Sequence, residues 1–253
     1  MIRSRFSRVC LIFVGAPIVI GANAASAAEK GYIIEQDSGM LGPMKVWCKR
    51  GAIKILQKRT HCAVIMKAPN WKVSFLNTIT NALYQTDAAH WRGQELQVIG
   101  WISMARYGGL VAVKGKSEHA EICGVQTTVT HLETPEKNRE TDEKNTITKY
   151  RTMVSSVSYS GATAFGLPPQ ALQVVQRYYK IPAAPGFPMR VSMINQWGSD
   201  KDEITTSKCE RAVVPDSTFE LPKKFHLVKN ETEVQTSKDK ELYQDFLNGM
   251  NSE

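Results

Sequence analysis

Cysteine offers this chain its most direct chemistry. Five cysteines are present; Cys10 falls in an N-terminal leader, which leaves Cys48, Cys62, Cys123 and Cys209. An even number in an exported protein predicts two disulfides, and four cysteines allow three connectivities; the competing reading is free buried thiols. If the turns at Arg50-Gly51 and Arg59-Thr60 are tight, Cys48 and Cys62 lie on strands flanking Ala52 to Lys58, towards opposite ends of it. Two strand spacings and about four residues of rise then separate them by about 15 Å. Bridged α-carbons lie within roughly 7 Å, so a Cys48–Cys62 bridge requires one turn to be different. The connectivity stays open.

The remaining signatures are fragments of active sites. Ser237-Lys238-Asp239-Lys240 has the Ser-x-x-Lys spacing of acyl-transferring serine enzymes, but it stands in a lysine-rich polar tail where the lysine cannot be desolvated. His131-Leu132-Glu133 resembles the opening of a zinc deaminase motif, and no Pro-Cys-x-x-Cys follows to complete the metal shell. His61 beside Cys62, and His119 four residues before Cys123, lack the paired spacing of a zinc site. They read as surface histidines, in a turn and a charged loop, beside structural cysteines. There is no His-Glu-x-x-His, no Gly-x-Ser-x-Gly and no phosphate-cradling glycine loop. No metal, no cofactor and no catalytic residue is expected.

The elements that must carry these residues are short strands. Tyr32 to Asp37, Met44 to Lys49, Ala52 to Lys58, His61 to Lys67, Trp71 to Asn77 and Ala82 to Thr86 are separated by turn signals, which predicts an antiparallel meander. Gln94 to Val113 predicts two further strands, with a short helix as the alternative; Ile122 to Leu132 predicts another strand, and Thr148 to Tyr159 another. Thr134 to Asn145 holds mixed charges and no large apolar residue, the composition of a mobile loop. Leu167 to Ile181 is the clearest helix: Pro168 and Pro169 suit a first turn, and Leu172, Val175 and Tyr179 form one stripe. Strands follow at Phe187 to Trp197 and Glu203 to Val214, and the tail from Lys229 is polar, with a short helix at Glu241 to Leu247.

Two apolar strand faces stand out. Trp71, Val73 and Phe75 share one face, and Phe187, Met189, Val191 and Met193 share another. Methionine and phenylalanine suit an adaptable cavity for an acyl chain; the alternative is that these seven residues pack against the helix as ordinary core. Lys45, Trp47 and Lys49 share a further face, either a small exposed partner surface or the solvated side of a sheet.

Arg3, Arg5 and Arg8, an apolar run from Val9 to Ile20 and the small residues Ala22 to Ala28 form a secretory signal peptide. Cleavage after Ala27 is expected, with Ala24 as the second choice. Cys10 stands at the start of the apolar run and not at a cleavage position, so no lipid anchor is expected at the new N-terminus. The run falls short of the roughly 20 apolar residues of a spanning helix. Without the leader arginines the net charge falls from +8 to +5. The basic residues form no block, which argues against nucleic acid and leaves weak attraction to an anionic membrane surface. The predicted protein is periplasmic or secreted: a leader over 1–27, one domain over 28–228 and a polar tail over 229–253.

Ala68-Pro69-Asn70-Trp71-Lys72-Val73, Leu76-Asn77, Leu83-Tyr84 and Trp91-Arg92-Gly93 resemble segments of the LolA-like lipoprotein-carrier superfamily. Gly186-Phe187-Pro188-Met189-Arg190 and Val214-Pro215-Asp216-Ser217-Thr218-Phe219-Glu220-Leu221-Pro222 are similar to segments of its uncharacterised exported bacterial relatives. The resemblance implies a mainly β fold, an unclosed antiparallel barrel curved around one or two helices, whose concave side receives acyl chains in the best-known members. It implies no catalytic residue. The leading expectation is a non-enzymatic protein binding an apolar or lipidic ligand, or an acylated partner, in the concavity. The alternative is an envelope interaction or structural module with a filled core. A hydrolase whose residues converge only in three dimensions comes third.

Overall fold

A computed structural model describes residues 30–93, 110–135, 154–195 and 198–234. The expected leader, the segment 94–109 with its expected elements, residues 136–153 and 196–197, and everything beyond 234 lie outside the described residues.

Short runs of period two produce the meander, and where both faces are covered, as in Cys62–Lys67, the run is apolar throughout. Strands β1 (Lys30–Ser38), β2 (Gly42–Lys49), β3 (Ala52–Gln57), β4 (Cys62–Lys67), β5 (Val73–Asn77) and β6 (Ala82–Thr86) pair successively and antiparallel. In the second half, β7 (Val111–Ile122), β8 (Val125–Glu133), β9 (Val154–Ala162), β10 (Phe187–Asn195) and β11 (Asp200–Val213) do the same. The halves join where the first strand meets the eleventh: β1 pairs antiparallel with β11 from Lys30↔Val213 to Ser38↔Ile204, with a bulge at Ser207. A two-residue strand, β12 (His226–Leu227), adds to β6 in parallel. The result is one 12-stranded sheet with β12 at one end and β7 at the other. It is a mainly β, curved sheet that does not close into a barrel.

One α-helix is present among the described residues, α1 (Pro169–Tyr179), two residues shorter at each end than its periodicity predicts. Pro168 and Pro169 begin it with fixed φ and no amide hydrogens to satisfy. Lys180 ends it in the left-handed region, and its amide bonds back to the Arg177 carbonyl. Ala171, Val174, Val175, Tyr178 and Tyr179 are buried on its inner face.

Two hydrophobic clusters occupy the two sides of the sheet. The larger fills the concave side and includes Ile34, Met44, Val46, Phe75, Tyr159, Phe187 and the inner face of α1. The smaller lies on the convex side of the N-terminal half and contains Ala52, Ala63, Ile65, Leu76, Leu83, Val214 and Phe219. Residues 214–234 connect them as a strap. A 3-10 turn at Asp216–Phe219 sits on the convex cluster, β12 caps the β6 edge, and a second 3-10 turn at Glu231–Val234 buries Val234 in the concave cluster.

Two sequence expectations change. The charged stretch carrying His119 is part of the long strand β7, because an end strand with polar residues on both faces has a loop's composition. Ile122 and Cys123 do not open the next strand; Ile122 ends β7 and Cys123 occupies the turn before β8. Beyond residue 228, Val234 is fully buried in the concave cluster.

Candidate functional site

The seven residues expected to line a cavity come together. Trp71, Val73, Phe75, Phe187, Met189, Val191 and Met193 are between 0% and 6% exposed and belong to the single concave cluster. Trp71 stands in the turn before β5 rather than on it, at a positive φ of 52°, and still shares the buried side with Val73 and Phe75. Aromatic edges fill the space between sheet and helix: Phe75 meets Trp91 at 5.5 Å and Tyr178 at 6.4 Å, and Phe187 meets Phe165 at 5.4 Å and Tyr179 at 6.5 Å.

Polar groups tie the helix down over this cluster. The Tyr179 hydroxyl donates to Gln36 Oε1 at 2.7 Å, and Gln176 Nε2 donates to the Tyr159 hydroxyl at 3.1 Å and the Ala184 carbonyl at 2.5 Å. The Tyr159 hydroxyl in turn donates to the Gly186 carbonyl at 2.7 Å. Arg177 reaches back to the carbonyls of Trp91 at 2.7 Å and Ala88 at 3.2 Å. Burial pushes the Tyr159 and Tyr179 phenols above their ordinary range, so both stay protonated donors. Sequence reasoning placed Tyr179 on the helix stripe but did not foresee these hydrogen bonds; a Gln and two Tyr on an otherwise apolar helix face were the available signal.

On the convex side the Lys45–Trp47–Lys49 face is divided. Lys49 is 7% exposed, its ammonium donates to Asp216 at 2.6 Å and lies 5.6 Å from the centre of the Phe219 ring, so it belongs to the strap contact and not to an exposed patch. Trp47 is half-buried, with Lys45 and Lys54 at 5.3 and 5.5 Å from its ring centre. Partial burial pulls the Lys54 amine below its ordinary value. Ile33 and Leu56, also half-buried, pack against the same cluster. Lys54 faces Trp47 directly across the β2–β3 ladder.

The four cysteines among the described residues are free thiols. The register keeps Cys48 and Cys62 apart: Cys48 faces Ile53, Ile53 faces Met66, and Cys62 is at the other end of β4. Asn77 Nδ2 donates to Cys62 Sγ at 3.4 Å. His131 Nε2 lies 3.7 Å from Glu118 across the β7–β8 pair, and Asp202 accepts from Arg190 at 3.0 Å and from Ser192 on the outer face. Among the described residues, no three His, Cys, Asp or Glu are grouped to hold a metal ion, and no helix is long and apolar enough to cross a membrane.

No known protein family and no curated protein matches the chain by sequence. In structure it is similar to a chain of the Pseudomonas aeruginosa MucA/MucB complex, at 10% identity and a TM-score of 0.38, over 80% of this chain and 59% of that one. It thus spans less than two thirds of that relative's length. It is similar to a putative outer membrane lipoprotein-sorting protein domain from Vibrio parahaemolyticus at 9% identity and a TM-score of 0.30, over 77% of this chain and 90% of that one. It is also similar to a LolA superfamily protein from Nitrosomonas europaea, at 9% identity and a TM-score of 0.28, over 77% and 91%. LolA superfamily proteins are therefore among the solved structures this chain resembles.

Proposed function

We propose that the chain is an exported, non-enzymatic binding module of the cell envelope that holds a protein partner on the convex face of its sheet, while its concave face is filled by its own side chains. The observation that carries this reading is the burial of all seven cavity-lining candidates in one cluster with α1. Seating an acyl chain there would require α1 to lift. That would break the Tyr179–Gln36, Gln176–Tyr159 and Arg177–Trp91 hydrogen bonds, each worth about 0.5–1.5 kcal/mol net, and expose the aromatic cluster. The half-buried Trp47 between Lys45 and Lys54, beside Ile33 and Leu56, supports the choice of face. An apolar anchor flanked by cations suits a partner segment that carries an apolar side chain next to carboxylates.

The test has two arms on the full-length protein. Organic extraction followed by mass spectrometry, and titration with a fluorescent fatty acid, are expected to return neither bound lipid nor probe binding. A photo-crosslinking residue at Leu56 in producing cells is expected to trap a protein adduct that Lys54→Glu removes. Stoichiometric lipid or saturable probe binding would establish the acyl-chain reading instead. Absence of any adduct from Leu56 would remove the convex surface.

A further inference from the structure

We infer that Cys123 and Cys209 form a reversible disulfide that fastens the tip of the β7–β8 hairpin to β11. The hairpin turn is the first sign. Ile122 faces Val125, so Cys123 and Gly124 are its two turn residues, and both have positive φ, 51° and 76°. Such a turn favours Asn-Gly or Asp-Gly. Cysteine gains nothing from that backbone, and its presence at the first position points to a use for its sulfur.

The second sign is where the tip lands. The last pair between β10 and β11 on this side is Arg190↔Thr205, while β11 continues to Val213. The hairpin tip comes to this stretch, and Cys123 Sγ donates to the Thr206 carbonyl at 3.5 Å. The bulge at Ser207 puts Thr206 opposite Gln36 and Cys209 opposite Ile34, two positions along β1, so both point to the concave side about 7 Å apart along the strand. Partial burial first, with Cys123 adding in the same direction, pushes the Cys209 thiol up to about 11, and Cys209 adds likewise to the rise that burial imposes on the Cys48 thiol.

The third sign is elimination. Cys48 and Cys209 flank β1, opposite Tyr32 and Ile34, which separates them by about 12 Å, two strand spacings across and two residues along. Cys62 is on β4, four strands from β11 and about 19 Å away across the sheet. Both distances exceed the roughly 7 Å limit for bridged α-carbons. Cys48 and Cys62 are also buried, whereas Cys123 is exposed and Cys209 half-buried.

The exchange balances with a disulfide-bearing oxidant RS–SR, such as glutathione disulfide. The exposed Cys123 thiolate attacks one sulfur and expels RS⁻, forming a mixed disulfide. Cys209 loses its proton to water, and its sulfur attacks the Cys123 sulfur and expels the second RS⁻. Two protein thiols are oxidised, and one external disulfide is reduced to two thiols.

Peptide mapping of the full chain after treatment with glutathione disulfide tests this. A Cys123–Cys209 linked peptide pair, two hydrogens lighter than its reduced parts and separated again by dithiothreitol, is the expected product. Cys123→Asn, which suits the turn and keeps the fold, and Cys209→Ser should each abolish the link. Oxidation should raise the Tm of the wild type and leave both variants unshifted. Recovery of Cys123 and Cys209 as separate alkylated or glutathionylated peptides from the oxidised wild type would overturn the inference, as would a link from either to Cys48 or Cys62.

Discussion

The Tyr179 hydroxyl on the last turn of α1 and the Gln36 side-chain carbonyl on β1 are joined by a 2.7 Å hydrogen bond inside the concave core. Gln36 extends the connection: its Nε2 donates to the Pro188 carbonyl at 2.7 Å and to Thr206 Oγ1 at 2.9 Å, and Thr206 Oγ1 donates to the Met189 carbonyl at 2.6 Å. One glutamine therefore ties the helix to β1, β10 and β11. Tyr179→Phe leaves Gln36 Oε1 buried without this donor, and is expected to lower stability by about 1–3 kcal/mol in urea unfolding. The far-UV spectrum should be unchanged.

The strap has a pH-dependent clasp. The hydrogen bond from Lys49, and then its charge, hold the Asp216 carboxyl below its ordinary value. A carboxyl depressed in the folded state contributes stability above its unfolded value and loses it as the pH falls through the folded value. Wild type should therefore exceed Asp216→Asn in Tm at neutral pH. The gap should close below the ordinary carboxylate range, as followed by thermal melts from pH 7 to pH 2.

Removal of residues 229–253 takes Val234 from a fully buried site in the concave cluster. Burial of a valine is worth about 1.5–3 kcal/mol, so this truncation should lower the urea midpoint by at least that equivalent. Removal of 235–253 alone leaves Val234 in place and supplies the control.

Gly161 on β9 lies directly beneath the Pro185 carbonyl, and a Cβ there would overlap that oxygen. The backbone on both sides is held, since Tyr159 bonds to Gly186. Gly161→Ala should cost about 1–3 kcal/mol through overpacking, read as a fall in Tm. Gly42 has a positive φ of 71° with open space around it, so Gly42→Asn should fold with little loss.

What was legible in the residues is what local pattern encodes. The alternation of Trp71, Val73 and Phe75, and of Phe187 to Met193, gave the buried faces, and Pro168-Pro169 located the helix start. The parts that escaped depend on distant partners. Lys49 has the look of a surface lysine until Asp216 and Phe219 arrive from the far end of the domain. Val234 is a lone apolar residue among polar neighbours, without a period to mark it as core. The charged β7 is at the sheet's end, where hydrogen bonding to one neighbour suffices and neither face must be apolar. The sequence left the seven apolar residues with two readings, a cavity or a core packed on the helix, and the choice between them escaped it, because packing between a helix and a curved sheet is a three-dimensional property.

The place of β1 has a consequence for how the chain is made. Synthesis delivers β1 to β6 first, a meander of local contacts that can assemble early. Its two outer strands then wait: β1 for β11 and β6 for β12, both encoded near the end of the domain. Until ribosomes have passed residue 227, the young polypeptide presents two unsatisfied strand edges, ready templates for misassembly with its neighbours. Premature termination anywhere in the last third of the domain should therefore yield a sticky half-sheet rather than a smaller working protein, and a need for chaperone cover is built into the order of the strands.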